Sequence, residues 1–83
     1  MKTKVTFLGN DACIIDTVEG SFLQHYSSII AFIGIDGKIK LDINKWNYST
    51  STGKYRNQFL NEDKKITQKK IDNGEYELVN LNE

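Results

Sequence analysis

Apolar residues in this chain fall into short runs separated by turn formers, and the spacing of the runs changes once, just after Trp46. The breaks lie at Gly9-Asn10-Asp11, Glu19-Gly20-Ser21, Asp36-Gly37, Ser49 to Gly53 and Asp72-Asn73-Gly74. Lys4 to Leu8 and Ala12 to Val18 flank the first break and are rich in β-branched residues, which predicts two strands joined as a hairpin. Ser21 to Tyr26 holds two aromatics without a clean period and reads as a loop that docks Phe22 or Leu23 on the core. Ile29 to Ile35 and Lys38 to Asn44 form the clearest pair, because Asp36-Gly37 between them suits the two positive φ angles of a type I′ turn. A two-residue loop sets Ile35 opposite Lys38, Phe32 opposite Leu41 and Ile30 opposite Ile43. The core face is then Ile30, Phe32, Ile39, Leu41 and Ile43. The first strand of this pair is apolar on both sides and belongs in the middle of the sheet. The second, with outward lysines, belongs nearer an edge.

Beyond Trp46 the period becomes helical, with Tyr55 and Phe59 four apart and Arg56 and Leu60 likewise. A hydroxyl of Ser49, Ser51 or Thr52 can cap a helix of about two or three turns. A second short helix is expected from Thr67 to Asp72, capped by Thr67, anchored by Ile71 and left through Asn73-Gly74. Tyr76 to Leu81 reads as a last strand. The expected fold class is α+β: an antiparallel sheet of four to five strands with two short helices, in the order ββββααβ, as a single domain over residues 1–83.

Composition narrows this further. A chain of 83 residues supports one core, and 39% hydrophobic with 27% charged residues is ordinary for a globular domain. The single Cys13 excludes an internal disulfide framework, which fits a reducing, cytoplasmic setting. No apolar run reaches signal-peptide length or the ~20 residues of a membrane span, so neither export by that route nor membrane insertion is expected. Ten Lys, ten Ile and eight Asn against one Arg, two Ala and no Pro suggest AT-rich codons, as in a low-GC bacterial host or its phage.

A formal net charge of zero conceals segregation. Residues 38–70 hold nine cations against Asp42, Glu62 and Asp63, a surplus of +6, whereas residues 1–37 carry −2 and residues 71–83 carry −4. Such a chain can present a positive face that steers anionic partners over roughly a Debye length, ~8 Å at physiological salt. The alternative is that folding returns the acidic tail, Asp72, Glu75, Glu77 and Glu83, to the basic segment.

Chemistry-bearing motifs are few. His25 is the only histidine and Cys13 the only cysteine, short of the three or four ligands that zinc requires, so no metal or other cofactor is expected. Cys13 in an apolar strand reads as a small buried hydrophobe. Ser49 to Lys54 lacks the glycine spacing and the following hydroxyl of a phosphate loop. Its hydroxyls serve as a helix cap, or hold an anion at the helix start where the dipole favours one. Asp11, Asp16 and Glu19 form no acid–base pair, and solvated placement accounts for them. Trp46, Tyr48 and Tyr55 alternate with Lys45, Lys54 and Arg56, the composition of a surface where aromatics stack bases and cations meet phosphate, with burial of Trp46 in the core as the alternative. A single arginine argues against base readout.

Tyr26 to Ile33, the Asp36-Gly37 turn, Trp46-Asn47-Tyr48-Ser49, Thr52 to Leu60 and Lys69 to Tyr76 resemble a family of small uncharacterised proteins from phages and mobile elements of low-GC Gram-positive bacteria. The likeness covers roughly residues 26–81 and implies a genomic setting, not a mechanism. That family often carries histidine where this chain has Tyr55, a departure that speaks against a catalytic or metal-ligating role there. The resemblance and the polarised charge lead to the expectation of a non-catalytic accessory protein that binds and inhibits a host protein complex, an anti-defence or anti-CRISPR-like role. The expected surface is Trp46, Tyr48, Lys54, Tyr55, Arg56, Lys64, Lys65, Lys69 and Lys70. Direct nucleic-acid binding through the same cations is the alternative, and self-association as a virion or assembly component a third.

Overall fold

The computed structural model describes residues 3–82. Six strands form one sheet in sequence order: β1 (Lys4–Phe7), β2 (Ala12–Thr17), β3 (Gly20–His25), β4 (Ser28–Gly34), β5 (Ile39–Asp42) and β6 (Glu77–Val79). Helices α1 (Thr50–Leu60) and α2 (Lys64–Asp72) lie between β5 and β6. The first five strands pair antiparallel, whereas β6 runs parallel to β5. The sheet is therefore mixed and has six strands, not the four or five antiparallel ones expected. Two helices carry the chain back across the sheet before β6, and such a crossover delivers a parallel partner.

The additional strand is β3, in the segment expected to be a loop. Its apolar pair Phe22-Leu23 hides the alternation, because one residue serves each face. Leu23 is fully buried among the helices, while Phe22 stacks on Phe32 on the opposite side with ring centroids 4.5 Å apart. Across the sheet the register builds two rows. Ile14, Leu23, Ala31, Leu41 and Leu78 line up beneath the helices, and Val5, Ile15, Phe22, Phe32, Lys40 and Glu77 line up on the other face. Trp46, Tyr55, Phe59, Leu60 and Ile71 pack onto the first row. Cys13, opposite Phe7 on the second face, is half-buried and not fully enclosed as expected.

The β4–β5 register differs by one residue from the expected one: Ala31 faces Leu41 and Ile33 faces Ile39. The loop has three residues, Ile35 to Gly37, with Gly34 N–H donating to the Lys38 carbonyl at 2.8 Å. Only Gly37 has positive φ, +85°, and the Asp36 carboxylate accepts from Lys38 N–H at 3.0 Å, so the turn is not type I′. The slip exchanges faces: Phe32 leaves the expected core set, Ala31 enters it, and Ile43 lies 53% exposed past the strand end. A β-bulge at Ile30, where pairing shifts between Leu23 and Gln24, lets the adjacent Ile30 and Ala31 both be buried.

Helix α1 is capped by Ser49, whose hydroxyl accepts from Thr52 N–H, and ends at Asn61 in the left-handed conformation. Helix α2 starts three residues earlier than expected, capped by the Asp63 carboxylate, which accepts from Ile66 N–H. Thr67, expected as that cap, is fully buried inside the helix and donates its hydroxyl to Glu62 at 2.6 Å. The Glu62 carboxylate also accepts from Lys70 Nζ at 2.9 Å and from the Tyr76 hydroxyl at 2.8 Å. It thereby fastens α2 to the chain entering β6. That strand is shorter than the expected Tyr76 to Leu81, and Tyr76 is buried just ahead of it. Among the described residues no helix is long and apolar enough to cross a membrane.

Two expectations follow. Leu23→Ala removes a fully buried side chain at the centre of the inner row and lowers stability by about 2–5 kcal/mol in urea denaturation. Burial works to raise the Glu62 carboxyl, but the hydrogen bonds from Thr67, Lys70 and Tyr76 and the charge of Lys70 outweigh it and hold its pKa below the ordinary value of 4.5. A depressed carboxyl stabilises the fold above its unfolded pKa, and that contribution is lost as pH falls through the folded value. Denaturation midpoints of the native chain therefore fall below pH 4.5, and Glu62→Gln shows a flatter fall over that window.

Candidate functional site

The bend between β5 and α1 begins at a buried carboxylate. Asp42 is 1% exposed; its Oδ1 accepts from Leu81 N–H at 2.8 Å and its Oδ2 from Asn44 N–H at 3.1 Å. Its carbonyl accepts from Trp46 N–H at 3.0 Å. The chain is thus turned sharply off the sheet and the bend is tied to the C-terminal segment. Trp46 folds inward against the core and is half-buried, whereas Tyr48 faces outward, with Lys45 Nζ 4.1 Å from its ring centroid.

At the start of α1 three side chains form a continuous polar line. The Thr52 hydroxyl oxygen lies 3.0 Å from Ser49 Oγ and 2.9 Å from His25 Nδ1, and both Thr52 and His25 are buried. His25 Nε2 faces Asp11 Oδ2 at 3.5 Å, an ion-pair approach without hydrogen-bond geometry. Asp11 Oδ1 accepts from the Tyr55 hydroxyl at 3.3 Å. Gly9 makes this possible, since a Cβ there would lie 2.5 Å from the Tyr55 oxygen. Partial burial works to raise the Asp11 carboxyl. Hydrogen bonds from Tyr26 and Tyr55 and the charge of His25 outweigh it and hold the group below its usual range. The order Asp11, His25, Thr52 has the outline of a hydrolytic relay. Thr52, however, is 1% exposed and its oxygen is already engaged on two sides, so it is not offered to a substrate. The line acts as a clamp between the end of β3 and the first turn of α1.

On the far side of that turn, Arg56 is 1% exposed. Its Nη1 donates to the Trp46 carbonyl at 2.9 Å and to Asn47 Oδ1 at 3.2 Å, and its Nη2 to Asn57 Oδ1 at 2.8 Å. Every one of these acceptors is neutral. Burial pushes the guanidinium pKa down, opposed by the more distant charge of Glu62. Gly53 lies against the group: a Cβ there would be in ordinary contact with Nη2 at 3.5 Å. Above Arg56 runs an open groove of about 680 Å³, lined by Asn47, Ser49, Thr50, Lys54, Asn57 and Lys64. Among the described residues no carboxylate lines it, and the first turn of α1 carries no acidic residue.

The expected surface is only partly assembled. Lys54 and Lys64 meet at the groove, and Tyr48, Lys65 and Lys69 are exposed nearby in the chain. Four expected members are not free. Arg56 is buried because its guanidinium ties the bend to α1, and Trp46 is drawn into the core beside it, 5.3 Å from the guanidinium. Tyr55 is held by Asp11, and Lys70 is paired with Glu62, which raises its pKa. Of the acidic tail, Asp72 ends α2 and accepts from Gln68, Glu77 stands opposite Lys40 in the sheet register, and Glu83 lies outside the described residues. Among the described residues Lys54, Lys64, Lys65 and Lys69 form no ion pair, and no group of side chains is arranged to hold a metal. Asp11, expected to be simply solvated, instead anchors the clamp. The sequence signal that could have exposed it is His25, a lone ionisable residue on the inward face of a strand, which needs polar partners.

The chain belongs to a family of unknown function (DUF8033), which it matches over residues 1–75. No curated protein and no solved structure matches it.

Thr52→Val keeps the side-chain shape but removes the oxygen shared by His25 and Ser49. It leaves buried His25 short of a partner and lowers stability by roughly 1–3 kcal/mol, read by chemical denaturation.

Proposed function

We propose that this protein is a non-catalytic accessory protein of a phage or other mobile element, acting in the host cytoplasm by attaching to a host protein complex and inhibiting it. The attachment face is the bend after β5 together with the start of α1 and the adjoining lysines of α2. The observation that carries this reading is the pairing of Lys54 and Lys64 over a groove without carboxylates, beside exposed Tyr48. Exposed tyrosine is a frequent anchor of protein interfaces, and unpaired cations around it steer an acidic partner and fix its orientation. The resemblance to phage and mobile-element proteins supplies the genomic setting. The engagement of Thr52 on two sides agrees with a role in binding instead of turnover.

Direct nucleic-acid binding is the second reading, favoured by one observation: the Tyr48 ring is 68% exposed with Lys45 against it, a platform on which a base can stack.

Pull-down from a susceptible host lysate tests the first reading. Arg56 is unsuited to charge reversal because it is buried, so the informative variant is Lys54→Glu/Lys64→Glu, which is expected to lose the captured partner. Undiminished capture by that variant, together with Tyr48→Ala, removes the face from consideration. A gel shift whose affinity falls steeply with salt instead supports the nucleic-acid reading.

A further inference from the structure

Among the described residues Arg56 is a buried cation with no ion-pair partner. Its guanidinium offers five N–H groups; three reach the neutral oxygens of Trp46, Asn47 and Asn57, and Nε has no partner. The buried carboxylate Glu62, by contrast, has Lys70 against it. A cation held only by neutral acceptors is offset only by the more distant charge of Glu62, and burial among protein groups screens its field less than water would. The groups that hold the guanidinium also show where the field is directed. Asn47 and Asn57, which accept from it, and Gly53, which lies against it, all line the groove, so Arg56 forms the groove's floor.

The remaining surroundings carry the same sign. Lys54 and Lys64 stand at the rim, and the groove runs along the first turn of α1. Ser49 takes the N–H groups of Thr52 and Gly53, which leaves those of Thr50 and Ser51 without a protein acceptor among the described residues. Free N–H groups at a helix start carry a partial positive charge and bind oxyanions.

We propose that this groove is an oxyanion site whose ligand is a phosphoryl group. Three cationic side chains and a helix start, with no carboxylate among them, exceed what one carboxylate would neutralise. A tetrahedral dianion has enough oxygens to meet the Thr50 N–H group and two lysines together. The groove is larger than a bare phosphate and admits the group as an ester, either a terminal monoester or a diester within a nucleotide chain. This goes beyond the attachment reading, because the ligand is a small anion bound by the isolated protein. The two share Lys54 and Lys64 but can fail separately: absence of phosphate binding leaves partner capture through Tyr48 intact, and a failed pull-down leaves the oxyanion site intact.

The test is a titration of the isolated ¹⁵N-labelled protein with inorganic phosphate at constant ionic strength, with chloride as reference. Saturable amide shifts centred on Thr50, Ser51 and Lys54 are expected. Because replacing buried Arg56 endangers the fold, the exposed lysines carry the mutational arm. Lys54→Ala and Lys64→Ala each weaken binding about two- to fivefold, while Lys4→Ala on the distant β1 leaves it unchanged. Parallel titrations with a nucleoside monophosphate and a dinucleoside phosphodiester distinguish the sources, and preferential binding of either one supports the site. Shifts no larger than those with chloride, or shifts unaffected by both lysine variants, overturn it.

Discussion

A single hydroxyl ties the first turn of α1 to the sheet. Thr52 meets both Ser49 and His25, so the cap of α1 and the end of β3 share one buried oxygen. A helix of eleven residues has little stability of its own in water. Fixing its first turn to the sheet sets where the rest of it lies, and with it the height of Lys54 above the bend. Arg56 completes the arrangement from the other side by binding the Trp46 carbonyl. The loop after β5 is thus pinned at both ends by buried polar contacts, although its outer surface is polar and open.

The parts of the fold legible in the sequence were those written in local chemistry. Turn formers mark the β1–β2 and β4–β5 hairpins, Ser49 caps α1, and Gly74 leaves α2 with a φ of +83°. β3 was not legible because Phe22 and Leu23 each satisfy a different face, and because His25 occupies an inward position that only a partner 27 residues away makes acceptable. The hairpin register was missed for a narrower reason. Asp36-Gly37 suits a two-residue turn, yet the Asp36 side chain binding Lys38 N–H stabilises a three-residue loop instead. The parallel placement of β6 is a consequence of the helical crossover and has no signature within β6 itself.

The same distinction governs the site. Counting charges located the basic segment and identified Lys54 and Lys64, both of which line the groove. It could not separate a solvated cation from a buried one. Arg56 lies in a helix between polar neighbours and reads as surface, but the acceptor that draws it inward is a carbonyl ten residues earlier. Lys70 likewise reads as free until the turn into β6 brings Tyr76 and Glu62 together around it. Of the acidic tail, which could have cancelled the whole segment, Glu77 falls opposite Lys40 on the sheet, and among the described residues no tail carboxylate forms an ion pair with Lys54, Lys64, Lys65 or Lys69.

Trp46 has a consequence of a different kind. It is the sole indole of the chain, half-buried, with a guanidinium 5.3 Å from its ring and its own carbonyl bound by the same group. Its indole fluorescence, excited apart from the four tyrosines, therefore has one origin, placed where the bend joins the core. Any event that moves the arginine, whether melting of the domain or arrival of a guest overhead, alters the light this protein emits without an added label.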